Sequence, residues 1–248
     1  MSNPSGPRPA GGGFPTTRVS ALVGARSGNA EERSRSFDAL VAAYWKPVYK
    51  HIRLRWSRTP EDAQDLTQGF FLRAMQKDFF APYDAAKGRF RTFLRVCLDG
   101  YLANEHKAAG RIKRGGDAVL LPLEFEAADG EIRQRGIPEP AAMDRCFDDE
   151  WVRSLFSLAV DALKAECAAR GKEAHFQIFE AHDLDPDPRP SYADLAARFG
   201  LPVTTVTNHL SWARREFRRL VLETLRSVTG SEDEFRREAR FLLGWDPP

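Results

Sequence analysis

Apolar residues recur three and four apart along most of this chain, and no stretch of useful length shows the strict alternation of a strand. Phe37, Leu40, Val41, Tyr44, Trp45, Val48, Tyr49 and Ile52 form one broad helical stripe. Pro47 falls inside it and lacks a backbone donor, which predicts a kink or break near Tyr44–Pro47. A second helix opens at Pro60 and carries Ala63, Leu66, Phe70 and Ala74 inward; Gln64, Thr67, Gln68 and Gly69 form its other face. A third repeats from Phe90 to Leu102 and runs into a basic tail of Arg111, Lys113 and Arg114.

From Gly115 to Asp144 the pattern fails: prolines, glycines and acids dominate, with one apolar run, AVLLPLEFEA, that reads as an extended stretch within a linker. Helical spacing returns at Trp151, breaks at DLDPDPRP, and resumes from Ser191 to about Leu243 with interruptions at Gly200–Pro202 and Gly230. The expected fold is all-α, with two helical domains joined by a linker. The boundaries are a disordered leader at 1–17, a first domain at 18–115, a linker at 116–145, a second domain at 146–229 and a helical extension at 230–248.

A net charge of +2 over 248 residues rules out a general polycation, so any nucleic-acid surface must come from local clustering. No apolar run approaches the ~20 residues of a membrane span, and the leader MSNPSGPRPAGGGFPTT has no signal core. Cys97, Cys146 and Cys167 are scattered among apolar residues, as expected of reduced thiols in a cytoplasmic protein. No catalytic triad order, phosphate loop or metal motif stands out, and no cofactor is expected. His175, His182, Asp183 and Asp185 are the one cluster of ligand-type residues, and the histidines read as ordinary helix-surface side chains.

The most specific stretch is SYADLAARFGLPVTTVTNHLSWARREFRRL. Ser191 can cap a helix with Leu195 and Ala196 inward, Gly200 can supply a left-handed turn, and Pro202 can start a second helix. In that second helix Val206, Leu210, Ala213 and Phe217 face one way, while Thr204, Thr205, Thr207, Asn208 and Ser211 face the other. This is helix-turn-helix spacing. The Thr, Asn and Ser side chains suit base edges, and Arg214, Arg215, Arg218 and Arg219 suit phosphates.

The two halves together resemble the bacterial sigma-70 family of RNA polymerase sigma factors, in its small extracytoplasmic-function (ECF) type, over roughly residues 35–115 and 150–225. PEDAQDLTQGFF resembles the helix of sigma region two that grips the β′ clamp helices. KGRFRTFLRVCLDGYLANEHKAAGRIKR resembles the helix that melts and reads the minus-ten element. The helix-turn-helix stretch resembles region four. The resemblance implies a non-enzymatic initiation factor whose partners are core RNA polymerase (β′ clamp helices and β flap) and promoter DNA. Asp62, Asp65, Thr67 and Gln68 would contact the polymerase; Asn104, Lys107, Arg111, Lys113 and Arg114 would contact minus-ten DNA. A free-standing helix-turn-helix regulator with an N-terminal sensor or partner-binding domain is the alternative.

The chain departs from the family at Gln64 and Gly69, where glutamates are usual, at Gly100, in its long linker and in its C-terminal extension. With two acids missing, phosphate on Thr67 would restore negative charge opposite the basic clamp helices. A Ser/Thr kinase, or an anti-sigma factor, would then be the controlling partner. A competing expectation is that the C-terminal helix covers region four.

Overall fold

The computed structural model describes residues 24, 29–76, 79–108, 123–136, 138–139, 142–185 and 188–244. The expected leader and the tail residues Arg111, Lys113 and Arg114 lie outside the described residues. The architecture is all-helical, with no strand among the described residues.

Helix α1 (Ala30–Arg55) starts at Asn29, whose side chain accepts the Glu31 and Glu32 amides at 2.9 and 3.3 Å. Acids in its first turn and arginines in its last match the helix dipole. The expected break at Pro47 does not occur, and the helix runs through. Ala43, Tyr44, Val48 and Tyr49 are buried on both sides of the proline, and that packing offsets the ~3 kcal/mol cost of an internal proline. Helix α2 (Pro60–Gln76) places proline in its first turn, and Thr59 Oγ1 accepts the Asp62 amide at 3.2 Å. Helix α3 is Phe90–Ala108.

The supposed linker contains helix α4 (Phe125–Arg135). Phe125, Ala128 and Ile132 are buried in the same core as α1, and Phe125 packs edge-on against Trp45 with ring centroids 5.5 Å apart. Here the expectation of an extended stretch is corrected from Phe125 onward. The short helix is held by burial of three apolar residues, not by composition.

Helix α5 (Met143–Ala169) is one continuous 27-residue rod, on the order of 40 Å long. Phe147, Trp151 and Leu155 on its first half belong to one hydrophobic cluster, with α1 to α4. Ala159, Leu163 and Cys167 on its second half belong to another. That second cluster adds α6 (Glu173–Phe179), a π-helical turn (Glu180–Leu184), α7 (Tyr192–Phe199) and α8 (Val203–Ser227). The expected boundary at 145/146 is therefore no gap, because a single helix serves both cores. Helix α9 (Glu232–Leu243) follows α8 and returns to the first cluster through Phe235 and Ala239. It does not cover α8 as one expectation held. No helix among the described residues is long and apolar enough to cross a membrane.

Candidate nucleic-acid interface

Helix α7 begins with a full capping box. Ser191 Oγ accepts the Asp194 amide at 3.1 Å, and Asp194 Oδ2 accepts the Ser191 amide at 3.0 Å. The Ser191 hydroxyl, which donates to Asp194 Oδ2 at 2.7 Å, and then the Ser191 amide hold the Asp194 carboxyl below its usual range. The helix ends at Gly200, whose φ of 64° is the left-handed conformation that glycine adopts without strain. Pro202 then sets the start of α8, and Leu195, Val206, Leu210 and Ala213 close the buried seam between the two helices.

This packing turns Thr204, Thr207, Asn208 and Ser211 outward, where all four are exposed. Thr205 is half-buried. Thr207 donates its hydroxyl to the Val203 carbonyl at 3.0 Å, which leaves the hydroxyl oxygen able to accept a hydrogen bond. Arg215 and Arg218 are also exposed.

Arg214 departs from expectation. It grips Asp183 of the π turn at two points, Nε–Oδ2 2.7 Å and Nη2–Oδ1 2.8 Å. Burial pushes the Asp183 carboxyl up, but its bonds from Arg214 and His182 outweigh that and hold it low. Arg219 is likewise engaged, by Glu216, Glu223 and Glu166 at 2.7, 2.7 and 2.5 Å. Both guanidiniums thus tie α8 to its neighbours before any phosphate is present. Of the four arginines, Arg215 and Arg218 have the freer reach toward a backbone. Sequence spacing could not separate these pairs, because the partners of Arg214 and Arg219 include Asp183 and Glu166, far away in the chain.

The histidines are not ordinary surface residues. His182 is buried and lies 2.8 Å from Asp183. His175 stacks face to face on His209 of α8, with centroids 3.6 Å apart, and meets the Trp212 ring edge-on. Burial first, then His209 and Lys172, lower His175 to about 4; burial and Lys172 lower His209 as well. No group of three or more His, Cys, Asp or Glu side chains among the described residues is placed to hold a metal ion.

On α2, Glu61, Asp62 and Asp65 are exposed and form an acidic ridge. Thr67 and Gln68 are not on that ridge; both are buried, and Thr67 is fully covered. The buried stripe is Ala63, Thr67, Phe70, Phe71 and Ala74, while Leu66 is only partly covered. Thr67 occupies a core position because its hydroxyl bonds the Ala63 carbonyl at 2.7 Å, so only its methyl needs apolar company. The expected phosphoacceptor is therefore inaccessible in this fold, and the electrostatic switch at Thr67 loses its premise.

Helix α3 exposes Asn104 and Lys107 at its far end. Its aromatic residues mainly build core: Phe90 and Tyr101 are buried, and Phe93 is half-buried. Phe90 meets Tyr44, Phe80 and Tyr83 with centroids 5.1–5.5 Å apart. Base capture by an exposed aromatic on α3 thus has little to work with among the described residues. No protein-family model, no curated protein and no solved structure matches this chain.

Proposed function

We propose that the chain is an RNA polymerase sigma factor of the ECF type. On this reading it lends promoter specificity to the polymerase and catalyses nothing itself. The observation that carries the reading is the outer face of α8, where Thr204, Thr207, Asn208 and Ser211 stand clear of a capped helix-turn-helix, with Arg215 and Arg218 beyond them. That face has the hydrogen-bonding groups for base edges and the charge for phosphates. The acidic ridge of Glu61, Asp62 and Asp65 on α2 would dock on the polymerase clamp helices, and Asn104 and Lys107 on α3 would meet minus-ten DNA.

Reversing charge at the ridge tests the polymerase half of this reading. Wild-type protein should co-elute with core RNA polymerase at one copy per enzyme. The Asp62→Lys, Asp65→Lys double variant should lose most of that binding, since each like-charge contact opposes docking. Equal co-elution of both proteins would remove the ridge from the interface. Tight operator binding by the chain alone, with no polymerase bound, would favour a free-standing regulator in the cytoplasm.

A further inference from the structure

Helix α9 sorts its charges by side. Two of its carboxylates are buried and satisfied inside the fold. Glu234 accepts the Phe90 amide at 2.6 Å and the Gly230 amide at 2.7 Å. Glu238 meets Arg91 at 3.1 Å, and both side chains are only 2% exposed. Phe235 and Ala239 complete the buried side. The outer side is left to arginine: Arg236, Arg237 and Arg240 are exposed and lie within one turn of one another. Phe241 follows one turn after Arg237 and is 47% exposed. The Arg91 and Arg89 guanidiniums lie 4.2 and 5.5 Å from its ring centroid. They hold the ring in place while much of its surface stays open.

The positive charge continues onto the loop before α3. Arg237 donates to the Ala85 carbonyl at 3.0 Å, and Lys87, two residues on, is exposed. The acids nearby are mostly answered already. Glu232 pairs with Arg226 and, at 3.4 Å, with Arg236; Asp84 pairs with Lys87 at 3.5 Å. Asp233, at the start of α9, is exposed and makes no ion pair among the described residues. Cations therefore outnumber acids on this surface, in a chain whose net charge is only +2.

We propose that the outer side of α9 binds an unpaired DNA strand, with phosphates on Arg236, Arg237 and Arg240 and a base stacked on Phe241. Every basic side chain of α9 is arginine, whose planar fork matches two phosphate oxygens. An open aromatic ring beside such cations is a stacking platform that any base can use. A duplex keeps its base faces covered by their neighbours, so the ring favours a single strand. The surface is separate from α8 and α3, and only the choice of DNA over RNA rests on the reading of those helices.

Fluorescence anisotropy with the full chain and a labelled oligothymidylate of about 20 nucleotides tests this. Wild-type protein should bind it. Arg236→Gln with Arg240→Gln should weaken binding about tenfold at low salt and lower the slope of log affinity against log salt by about 1.4. Phe241→Leu, which keeps an apolar side chain beside Arg91, should weaken it about fivefold or more and leave the slope unchanged. Its affinity for a duplex of the same length should change by less than about twofold. If Phe241→Leu loses the wild-type circular dichroism, the exposed arginine pair decides alone. No binding by wild type, or equal binding by wild type and the folded variants, overturns the proposal. So does an equal loss of duplex and single-strand binding in Phe241→Leu. A polyglutamate peptide bound as tightly would make the surface a dock for an acidic protein, and tighter binding of oligouridylate would replace DNA with RNA; both also overturn it. Arg218→Ala on α8 keeps the two faces apart. It should weaken duplex binding and leave oligothymidylate binding within about twofold, whereas an equal loss on both would move the strand from α9 to α8.

Discussion

The Tyr101 hydroxyl sits where a side chain at position 69 would begin: a Cβ built on Gly69 would meet Tyr101 Oη at 2.6 Å. Gly69 is helical, and glycine inside a helix costs about 1 kcal/mol against alanine. The crossing of α2 and α3 explains why it is tolerated. Gly69→Ala should destabilise by about 1–3 kcal/mol despite its better helix propensity. Tyr101→Phe should recover part of that loss in the double variant. Urea midpoints for the four proteins check both statements; a more stable Gly69→Ala would show that Tyr101 moves aside freely.

Thr67 gives a second prediction from burial. Thr67→Val keeps the shape and removes only a hydroxyl that bonds its own helix, so it should cost about 1 kcal/mol or less. Thr67→Glu forces a carboxylate into a fully buried position and should cost several kcal/mol, about 3 or more. Denaturant unfolding of the two variants measures this. A Thr67→Glu protein as stable as wild type would place the residue back on the surface.

The arginines of α8 should divide into two kinds. Arg218→Ala should weaken duplex DNA binding and lower the salt slope by about one unit, as expected for a lost phosphate contact. Arg219→Ala should leave that slope nearly unchanged and lower stability, because Arg219 is already held by Glu166, Glu216 and Glu223. Asp183→Asn should release Arg214 and raise non-specific DNA affinity. Fluorescence anisotropy across a salt series separates the three. Equal slopes for Arg218→Ala and Arg219→Ala would contradict the division.

The stacked pair His175 and His209 makes stability depend on acidity. Both folded values lie below the ordinary histidine value, with His175 at about 4, so the unfolded chain takes up protons that the folded chain refuses. The stabilising effect is whole above pH ~6.5 and is lost as pH falls toward 4. Asp183 also loses its contribution on acidification, but only below the ordinary carboxylate value, so the two windows separate. Denaturant midpoints between pH 7.5 and 4.5 should fall in wild-type protein and fall less in His175→Phe. Parallel curves would assign the acid sensitivity elsewhere.

How much of this was legible in the sequence depended on whether the deciding partner was local. The α7–α8 turn was legible because Ser191, Asp194, Gly200 and Pro202 act on their own backbone neighbours. Helix α4 was not, because Gly130 and several acids hide the Phe125, Ala128, Ile132 spacing, and only packing on distant helices, α1 foremost, makes that spacing count. Thr67 was placed on the wrong face because a threonine that bonds its own helix behaves as a core residue, while Leu66 took the half-covered position. Nothing local in the sequence marks Glu234 and Glu238 as buried. Their partners, Phe90 and Arg91, lie more than a hundred residues earlier.

Run-off transcription tests the central claim most directly. Purified core RNA polymerase from the same organism is mixed with the full chain on fragmented genomic DNA, and transcript starts are mapped. The account predicts discrete starts that appear only when the chain is present, that share sequence elements upstream, and that disappear with Asn208→Ala combined with Arg218→Ala. Random starts, or none, together with a chain that binds duplex DNA but not polymerase, would contradict it.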